Sequence, residues 1–412
     1  METQNYLFKL AADLAIPLEE APFRDDLISA RGFRGFNSDQ LNKRAYPLVE
    51  NTEGMETALY DKLRFGPERA NISQYPDFRS YVNAVVGSQG YHFLADVFRF
   101  RADFEATLDA RGYMDYFDEE WDVCCTPYYP EGGMSQFVIR MAADAVSNGA
   151  KVYLKQPVLS IASTSGQYTL TTPDYQITAD KVVIAAPKNG LNKITGNIAE
   201  AIKSQNQYQD LVGIPVITIA QRWPNAWWEN IGYPSKDIHR VWTTEHCFNF
   251  IEIPVASYDA QQLVTRSVYT DQQECVTFWQ RAAQLGIDTV EAELHRGLQA
   301  VLPKATIPKP LNTVVHYWPA AWYWLKGGSQ FTNAQIASWA IEPIPGEKVS
   351  LVGESYNPQR SGWSDGAYKS SINTLNAKYG FSITIPETPD LSTVKAKANK
   401  AAAKSASTRL GR

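Results

Sequence analysis

The stretch KVSLVGESYNPQRSGWSDGAYKSSINTL, residues 348–375, contains the change of pattern that decides the fold. Its small and apolar beginning predicts a strand that stops at the carboxylate of Glu354. A polar loop follows, and a helix is predicted from Ser364 onward, with glycines on both sides of Trp363. Taken alone, Ser364 and Asp365 could be an ordinary helix start, so the motif becomes informative only in combination with others.

A second unit lies upstream, where residues 128–163 read YYPEGGMSQFVIRMAADAVSNGAKVYLKQPVLSIAS. Apolar side chains recur there at helical spacing, and Asn148 with Gly149 is a typical helix stop. A strand is predicted over Lys151–Ile161, and the apolar run Val182–Ala186 predicts a buried central strand. Helical spacing dominates residues 2–121, whereas helices and strands alternate over residues 191–327.

The composition is that of an ordinary globular protein. The chain has 412 residues, 44% hydrophobic and 20% charged, which allows two or three domains. The net charge is −5, and the tail from Lys395 carries four Lys, two Arg and no acid, which leaves −11 on the remainder. An acidic body argues against nucleic-acid binding, and residues 390–412 are predicted to be a disordered basic tail.

The cysteines and apolar runs indicate the compartment. Cys124, Cys125, Cys247 and Cys275 show no metal-ligand spacing, and no histidine motif suggests a metal site. We therefore expect no metal and reduced thiols, as in a cytoplasmic protein. No apolar run reaches the roughly 18 residues of a membrane helix, and the start lacks a signal-peptide pattern.

In combination, three motifs resemble the flavin-containing amine oxidase family, which includes monoamine, polyamine and L-amino-acid oxidases. They are the GG–helix–GA–strand–PV unit of residues 132–158, the strand VVIAAP and the motif GES…SGWSDGA. The resemblance covers residues 3 to 380 and implies an α/β fold. A Rossmann-like FAD/NAD(P)-binding domain, built from separate segments, carries an inserted α+β substrate domain of mixed sheet and helices. The implied segments are 3–130 (helical part of the substrate domain), 131–187 (FAD domain), 188–347 (sheet and helices of the substrate domain) and 348–380 (FAD domain).

This resemblance also implies how FAD is held. The last helix points its free N–H groups and positive end at the N1/C2 edge of a non-covalently bound flavin, where negative charge develops during the reaction. Trp363 forms an aromatic wall beside the substrate over the flavin face. The other residues implied to bind the cofactor are Gly132, Gly133, Pro157, Val158, Ala186, Gly353, Glu354, Gly362, Asp365, Gly366 and Ala367.

The segment TVVHYWPAAWYWLKGG, residues 313–328, lies near a second aromatic position of the family. Trp322 and Trp324, with Trp318 and Tyr323, could hold an amine by cation–π contacts. The alternative is that at least two of these four rings pack in the core. No cysteine occurs in the segment, which excludes a covalent flavin link through cysteine there. Thr218 falls where many members have a lysine that assists oxygen reduction, so a slow oxidase or a dehydrogenase with another acceptor is an alternative.

The family's G-x-G-x-x-G turn, which binds the FAD diphosphate at the start of a βαβ unit, has no match in this sequence. Three explanations stay open. The chain is truncated and lacks its first βαβ unit, a second polypeptide supplies that unit, or the chain is a relic that no longer binds flavin. We expect weak FAD binding by this chain alone.

The function implied by the resemblance is that of an FAD-dependent amine oxidoreductase. Such an enzyme oxidises a primary or secondary amine, or an amino acid, to an imine by hydride transfer to flavin N5, and O2 reoxidises the flavin to give hydrogen peroxide. The alternatives are a flavin-free, non-catalytic binding or scaffold protein, and a desaturase or isomerase of the same fold.

Overall fold

The structure is a computed structural model that describes residues 5–20, 25–46, 54–98, 100–121, 128–164, 166–231, 238–253, 262–357 and 363–384. Its helices are α1 (Asn5–Asp13), α2 (Asp39–Ala45), α3 (Met55–Phe65), α4 (Phe78–Val97), α5 (Ala102–Glu105), α6 (Ala110–Trp121), α7 (Ser135–Ser147), α8 (Lys188–Leu191), α9 (Asn197–Lys203), α10 (Asn206–Gln209), α11 (Gln273–Leu285), α12 (Ile287–Val301), α13 (Asn333–Ile341) and α14 (Ser364–Tyr379). Its strands are β1 (Leu18–Glu20), β2 (Asp25–Ala30), β3 (Phe33–Gly35), β4 (Tyr128–Pro130), β5 (Ser160–Thr164), β6 (Gln167–Thr171), β7 (Gln176–Ala179), β8 (Val182–Ile184), β9 (Leu211–Arg222), β10 (Ile238–Thr243), β11 (Asn249–Glu252), β12 (Val264–Thr270), β13 (Asn312–Leu325) and β14 (Val349–Leu351).

A seven-stranded mixed sheet forms the centre of the fold, in the order β13-β9-β12-β11-β10-β2-β3. Strands β10 and β2 are parallel, and the other neighbours are antiparallel. The long pair β9–β13 shifts register between Trp318 and Trp322. A proline lies at this point in each strand, Pro215 in β9 and Pro319 in β13, and proline cannot donate the ladder hydrogen bond. The resulting bulge interrupts the β9–β13 pairing, so the end of β13 pairs with β9 in a different register from its beginning.

The two faces of this sheet pack against different helices. Ile214 and Val216 of β9 belong to a core shared with α2 to α6, whereas Ile217 and Ile219 belong to a core shared with α11 and α12. Side chains alternate between the faces of a strand, so each strand contributes to both cores. The candidate site lies on the first of these faces.

The predicted strand–helix motif at the end of the chain is present in a small parallel layer. Strand β14 pairs with β8 in register from Val349 with Val182 to Leu351 with Ile184. The antiparallel meander β5–β6–β7 belongs to the same core as this pair. Helix α14 packs on α1, and both share an apolar cluster with Phe137 of α7.

Local structure differs from the sequence-based expectation in two places. The segment expected to be helical contains β1, β2 and β3, because β2 finds a distant parallel partner in β10. The strand expected over Lys151–Ile161 begins only at Ser160. Val152 and Leu154 are 50% and 80% exposed, since no described strand pairs with this stretch.

The strand expected over Val182–Ala186 is also shorter and less enclosed than a central strand. It covers Val182–Ile184, its described neighbour is β14 alone, and Val183 is 45% exposed. A two-stranded parallel pair with an exposed apolar side chain is unusual, because parallel sheets normally have both faces covered.

The prediction of reduced thiols is wrong for two of the four cysteines. Cys247 and Cys275 form a disulfide, with Cα atoms 4.9 Å apart and a separation of 28 residues in sequence. Cys247 lies in the turn between β10 and β11, and Trp279 of α11 donates a hydrogen bond of 2.7 Å from Nε1 to its carbonyl oxygen. The two cysteines come together because α11 packs against the turn between β10 and β11. The spacing of cysteines in the sequence does not reveal that packing. Cys124 and Cys125, like the predicted tail 390–412, lie outside the described residues.

Candidate active site

A cavity of about 390 Å³ lies between the central sheet, the helical layer and the start of α14. Nine of its thirteen lining side chains are aromatic, and the other four are Asp103, Arg240, Glu252 and Arg266. Ligand pockets of this size are typically apolar with a few placed polar groups, so this cavity has the character of a small-molecule site.

The aromatic wall is continuous along the sheet. The ring centroids of Trp242 and Phe250 are 4.6 Å apart, and Phe250 stacks on Tyr269 at 4.5 Å. Phe100 from the helical layer then contacts Tyr269 at 6.2 Å and Trp322 at 5.6 Å. A wall of ring faces is suited to hold an apolar group or a cationic amine, and to exclude water from it.

Trp363 connects this wall to the start of α14. It is the residue that immediately precedes the helix, and it lines the cavity. Its Nε1 donates to the hydroxyl of Tyr116 at 3.2 Å, and the ring of Tyr116 lies 4.6 Å from that of Trp324. The side chain is therefore fixed by contacts within the site, and it lies between the helix start and the cavity.

Trp363, the residue at the N-cap position of α14, forms no capping hydrogen bond with its side chain, so it does not supply the partner that Ser, Thr or Asp often supplies there. The carboxyl of Asp365, in the first turn of α14, is buried. It accepts a hydrogen bond of 2.9 Å from the N–H of Leu7 and so contacts α1. An uncapped helix start beside a cavity is a site for an anionic or carbonyl group.

Several predicted cofactor residues lie together at the carboxyl ends of β8 and β14. These strands are parallel, so Ala186 and the pair Gly353–Glu354 follow strands that end at the same edge. The hydroxyl of Tyr356 reaches the carbonyl oxygen of Ala186 at 3.5 Å. Gly353 has a φ of 145°, a conformation that favours glycine, and its position would otherwise be open to a Cβ atom.

The start of α14 is joined to this edge by a side chain from the preceding loop. Asn357 donates from Nδ2 to the carbonyl oxygen of Gly366 at 3.2 Å. Ala367 forms the first helical hydrogen bond, from its N–H to the carbonyl oxygen of Trp363 at 3.3 Å. Strand end and helix start are therefore held as one unit, which is the geometry expected from the motif.

Other predicted cofactor residues lie apart from this unit. Gly132 and Gly133 form the turn between β4 and α7, both with positive φ, and a Cβ atom added to Gly133 meets no atom within 4 Å. Pro157 and Val158 precede β5, and Val158 packs against the core that includes β8 and β14. Gly362 lies outside the described residues.

The aromatic segment of β13 divides between site and core. Trp322 and Trp324 line the cavity, whereas Tyr323 is 3% exposed in the neighbouring core and accepts a hydrogen bond of 2.8 Å from the N–H of Asn189. Trp318 precedes the bulge and is 47% exposed. The structure therefore places two of the four rings in the cavity.

Thr218 does not line the cavity. It lies in β9 and pairs with Tyr269 of β12 and His316 of β13, and of these Tyr269 lines the cavity. No lysine is among the lining side chains in the described part of the chain. The position of Thr218 is thus adjacent to the site, separated from it by one side chain.

Two buried carboxyl groups at the cavity were not predicted from the sequence. Asp103 of α5 is 2% exposed and accepts hydrogen bonds of 3.0 Å from Tyr113 Oη and from Trp324 Nε1. Burial raises the pKa of Asp103 from 3.8 to about 7, although these hydrogen bonds lower it. Trp322 Nε1 is buried and faces the same carboxyl without completing a hydrogen bond of good geometry.

Asp271, the residue that follows β12, lies behind Asp103. It is 1% exposed, and burial, followed by the negative charge of Asp103, raises its pKa well above the ordinary value. The N–H groups of Ala102 and of Asp271 itself face the carboxyl, but neither of its oxygens completes a hydrogen bond with a described residue. No Lys, Arg or His is among the groups that shift either pKa.

The remaining charged groups form one network on the sheet side. Arg240 donates to Glu252 Oε1 at 3.0 and 3.1 Å, and Arg266 lies 3.2 Å from Oε2. Burial alone would raise the pKa of Glu252, but a hydrogen bond with His239 and the charges of Arg266 and Arg240 outweigh it and lower the pKa below its usual range. These residues come from β10, β11 and β12, so their alignment depends on sheet register and has no local sequence signal.

Comparison with known proteins is consistent with this geometry. The family model for flavin-containing amine oxidoreductase matches residues 9–374. The chain therefore belongs to that family, and a flavin is the cofactor that membership indicates. No curated protein matches the chain in sequence.

Two solved structures show a similar fold. The first is a double mutant of putrescine oxidase made in a structure-based redesign of cofactor binding, with a TM-score of 0.63 and 14% identity over 90% of this chain and 85% of that one. The second is cyclohexylamine oxidase from Brevibacterium oxydans IH-35A, with a TM-score of 0.66 and 17% identity over 91% of this chain and 85% of that one. Identities this low establish a shared fold and leave the substrate open.

Proposed function

We propose that the protein is an FAD-dependent oxidoreductase of small amines. The observation that carries the proposal is the aromatic cavity that ends at the uncapped start of α14, beside Trp363. When bound, the flavin supplies the hydride acceptor that converts the amine to an imine, and O2 is the final oxidant, with hydrogen peroxide as product. The flavin is held without a covalent bond, since no cysteine follows the aromatic segment.

The residues of this chain fit the ring end of the cofactor. The first N–H groups of α14 provide partial positive charge for a carbonyl edge, and Gly353 leaves its backbone open to close approach. Trp363 then forms a wall beside the substrate, next to the cofactor ring. Binding between ring faces removes water from the amine, which strengthens every electrostatic contact made there.

We propose a simple amine as the substrate. Arg240 and Arg266 both contact Glu252, whose charge offsets only one of theirs and leaves a net positive charge at that part of the cavity. An amino acid with its carboxylate at this position is the alternative that the substrate panel tests. The names of the two structural neighbours, a putrescine oxidase and a cyclohexylamine oxidase, agree with a simple amine as substrate.

The diphosphate end of the cofactor lacks its usual binding turn, because no two glycines in the sequence are separated by a single residue. A further strand–turn–helix unit, supplied by a second polypeptide, would complete the site. An exposed apolar face on α7 supports this proposal, since Val138, Ile139 and Val146 are 65%, 57% and 52% exposed.

A second candidate function is a flavin-free binding or scaffold protein. The missing diphosphate turn favours it, because that turn contributes much of the anchoring of FAD in related folds. The retained aromatic cavity would then bind an amine without oxidising it. Failure to retain FAD under any condition would select this alternative.

The compartment and partners are part of the proposal. Among the described residues, no helix is both long and apolar enough to cross a bilayer. The Cys247–Cys275 disulfide favours an oxidising compartment over the cytoplasm that the sequence suggested. The proposed substrate is a small molecule, and the net negative charge of the body argues against nucleic-acid binding.

The test is hydrogen peroxide release in the presence of added FAD, with a panel of alkylamines and of amino acids. Wild-type protein is expected to oxidise alkylamines in preference to amino acids. Trp363→Ala removes the ring next to α14 and should abolish turnover, whereas Trp318→Ala, which removes an exposed ring outside the cavity, should leave it unchanged. No peroxide from any amine, or equal loss in both variants, would refute the proposal.

A further inference from the structure

We propose that Asp103, with Asp271 behind it, binds the ammonium group of the substrate inside the aromatic cavity. This inference deepens the proposed function and rests on it, since it names the residue that recognises the amine. No sequence motif pointed to either aspartate, and the assignment comes from their position in the structure.

Asp103 is the acidic group at the aromatic end of the cavity. Its carboxyl is held from two sides, by Tyr113 of α6 and by Trp324 of β13, so its orientation is fixed before a ligand enters. The rings of Trp322, Trp324 and Tyr116 line the cavity together with it. A carboxyl among ring faces combines charge pairing with cation–π attraction, which is the environment that ammonium groups prefer.

Among the described residues, no Lys, Arg or His supplies a counter-charge to the pair of carboxyls. Arg101, next in the chain to α5, pairs with Asp96 and Glu105, at 2.6 and 2.7 Å. Asp271 has both oxygens buried without a completed hydrogen bond. A buried, unpaired carboxylate is costly and retains a proton instead, so the pair is prepared to exchange that proton for a cation.

Apart from the carboxylate of Glu105, the described groups that face the pair are neutral. They are Tyr113 and Tyr116 of α6, Tyr269 of β12, and Trp322 and Trp324 of β13. Burial raises the pKa of Tyr113 and of Tyr269 well above the ordinary value, so both keep their protons through the neutral range. Glu105 on α5 adds a negative charge that further disfavours ionisation of Asp271.

The other end of the cavity cannot take the ammonium equally well. Arg240 and Arg266 bring two positive charges against the single negative charge of Glu252. A cation placed there would meet net repulsion, whereas at Asp103 it meets no fixed positive charge. The distribution of charge along the cavity therefore orients an amine with its nitrogen toward Asp103.

The test is calorimetric titration of the protein, without added FAD, with butylamine and with 1-butanol, two ligands of similar shape that differ in charge. Titrations in two buffers of different ionisation enthalpy measure the linked proton. Wild-type protein is expected to bind butylammonium with release of a proton, because the ligand's charge replaces the one held on the carboxyl pair. Asp103→Asn should weaken butylammonium about 10- to 100-fold and change 1-butanol less than about threefold, as expected for loss of a charged hydrogen bond.

Two further variants distinguish a direct contact of Asp103 with the ammonium group from a general effect of removing a carboxylate. Glu105→Gln removes a carboxylate from the same helix outside the cavity and should leave butylammonium binding within about threefold, since it removes no contact with the ligand. Asp271 does not line the cavity, so Asp271→Asn should retain butylammonium binding. The number of protons released on binding should fall. The proposal would be overturned if Asp103→Asn weakened butylammonium and 1-butanol equally, or if Glu105→Gln weakened butylammonium as much as Asp103→Asn does. Binding of butylammonium to wild-type protein without proton release would also overturn it.

Failure of the proposed ammonium site can be distinguished from failure of the proposed oxidoreductase function. If amines still release peroxide with unchanged KM in Asp103→Asn, the ammonium site lies elsewhere and the proposed oxidoreductase stands. If butylammonium binds as expected but no amine is oxidised with FAD present, the proposed function fails while the ammonium site remains.

Discussion

Replacement of Asp103 by Asn should change the pH dependence of stability in a direction that the structure fixes. In the folded protein the pKa of Asp103 is raised from 3.8 to about 7, mainly by burial. The stability linked to this proton is fully present below the unfolded pKa and is lost as pH rises through the folded pKa. At 1.36 kcal/mol for each pH unit, the loss in wild type between about pH 4 and about pH 7 amounts to at most about 4 kcal/mol.

Asn resembles the protonated acid, because its amide oxygen can still accept the hydrogen bond from Trp324, but it does not titrate. The variant should therefore differ little from wild type at about pH 4.5 and become more stable than wild type at about pH 8, by up to about 4 kcal/mol. Urea unfolding followed by tryptophan fluorescence at the two pH values measures the difference. Glu105→Gln serves as the control for a half-buried, ion-paired carboxylate of the same helix. A difference between Asp103→Asn and wild type that is equal at both pH values would refute the reasoning about the buried carboxyl.

Three other changes have expected outcomes that the same unfolding assay can measure. Trp324→Phe removes a hydrogen bond to a buried carboxyl and should cost about 1–2 kcal/mol more than Trp322→Phe, whose Nε1 completes none; equal losses would contradict the assigned contact. Reduction of the Cys247–Cys275 disulfide opens a loop of 28 residues and should lower the free energy of unfolding by about 3–4 kcal/mol, and no change on reduction would argue against the bond. Gly297→Ala places a Cβ atom 2.5 Å from a buried phenylalanine ring, so overpacking should cost about 1–3 kcal/mol despite the better helix propensity; a stabilised variant would show that the ring can move.

The elements whose signals are local were predictable from the sequence. The strand before Glu354 and the helix from Ser364 follow from periodicity and punctuation within a few residues. Trp363 was placed at the site because its position relative to that strand and helix is fixed by a short segment. The parallel pairing of β8 with β14 then brought Ala186 to the same edge.

The charged part of the site was not predictable in this way. Asp103 lies in a one-turn helix, and Asp271 follows a strand far along the chain, so only the packed sheet brings them together. The cluster around Glu252 depends on the register of three strands, and the disulfide depends on packing of α11 against a turn. Strand partners at this separation leave no pattern in a single sequence, which is also why β2 was expected to be helical.

The central claim is that this chain places an amine between its aromatic wall and a flavin at the start of α14. The most direct test is the visible absorption of protein-bound flavin before and after butylamine is added without oxygen. With FAD present in excess, the oxidised flavin band is expected to disappear when the amine is added to the protein, and to persist when the protein is omitted. An oxidised band that persists with protein and excess amine would contradict the claim.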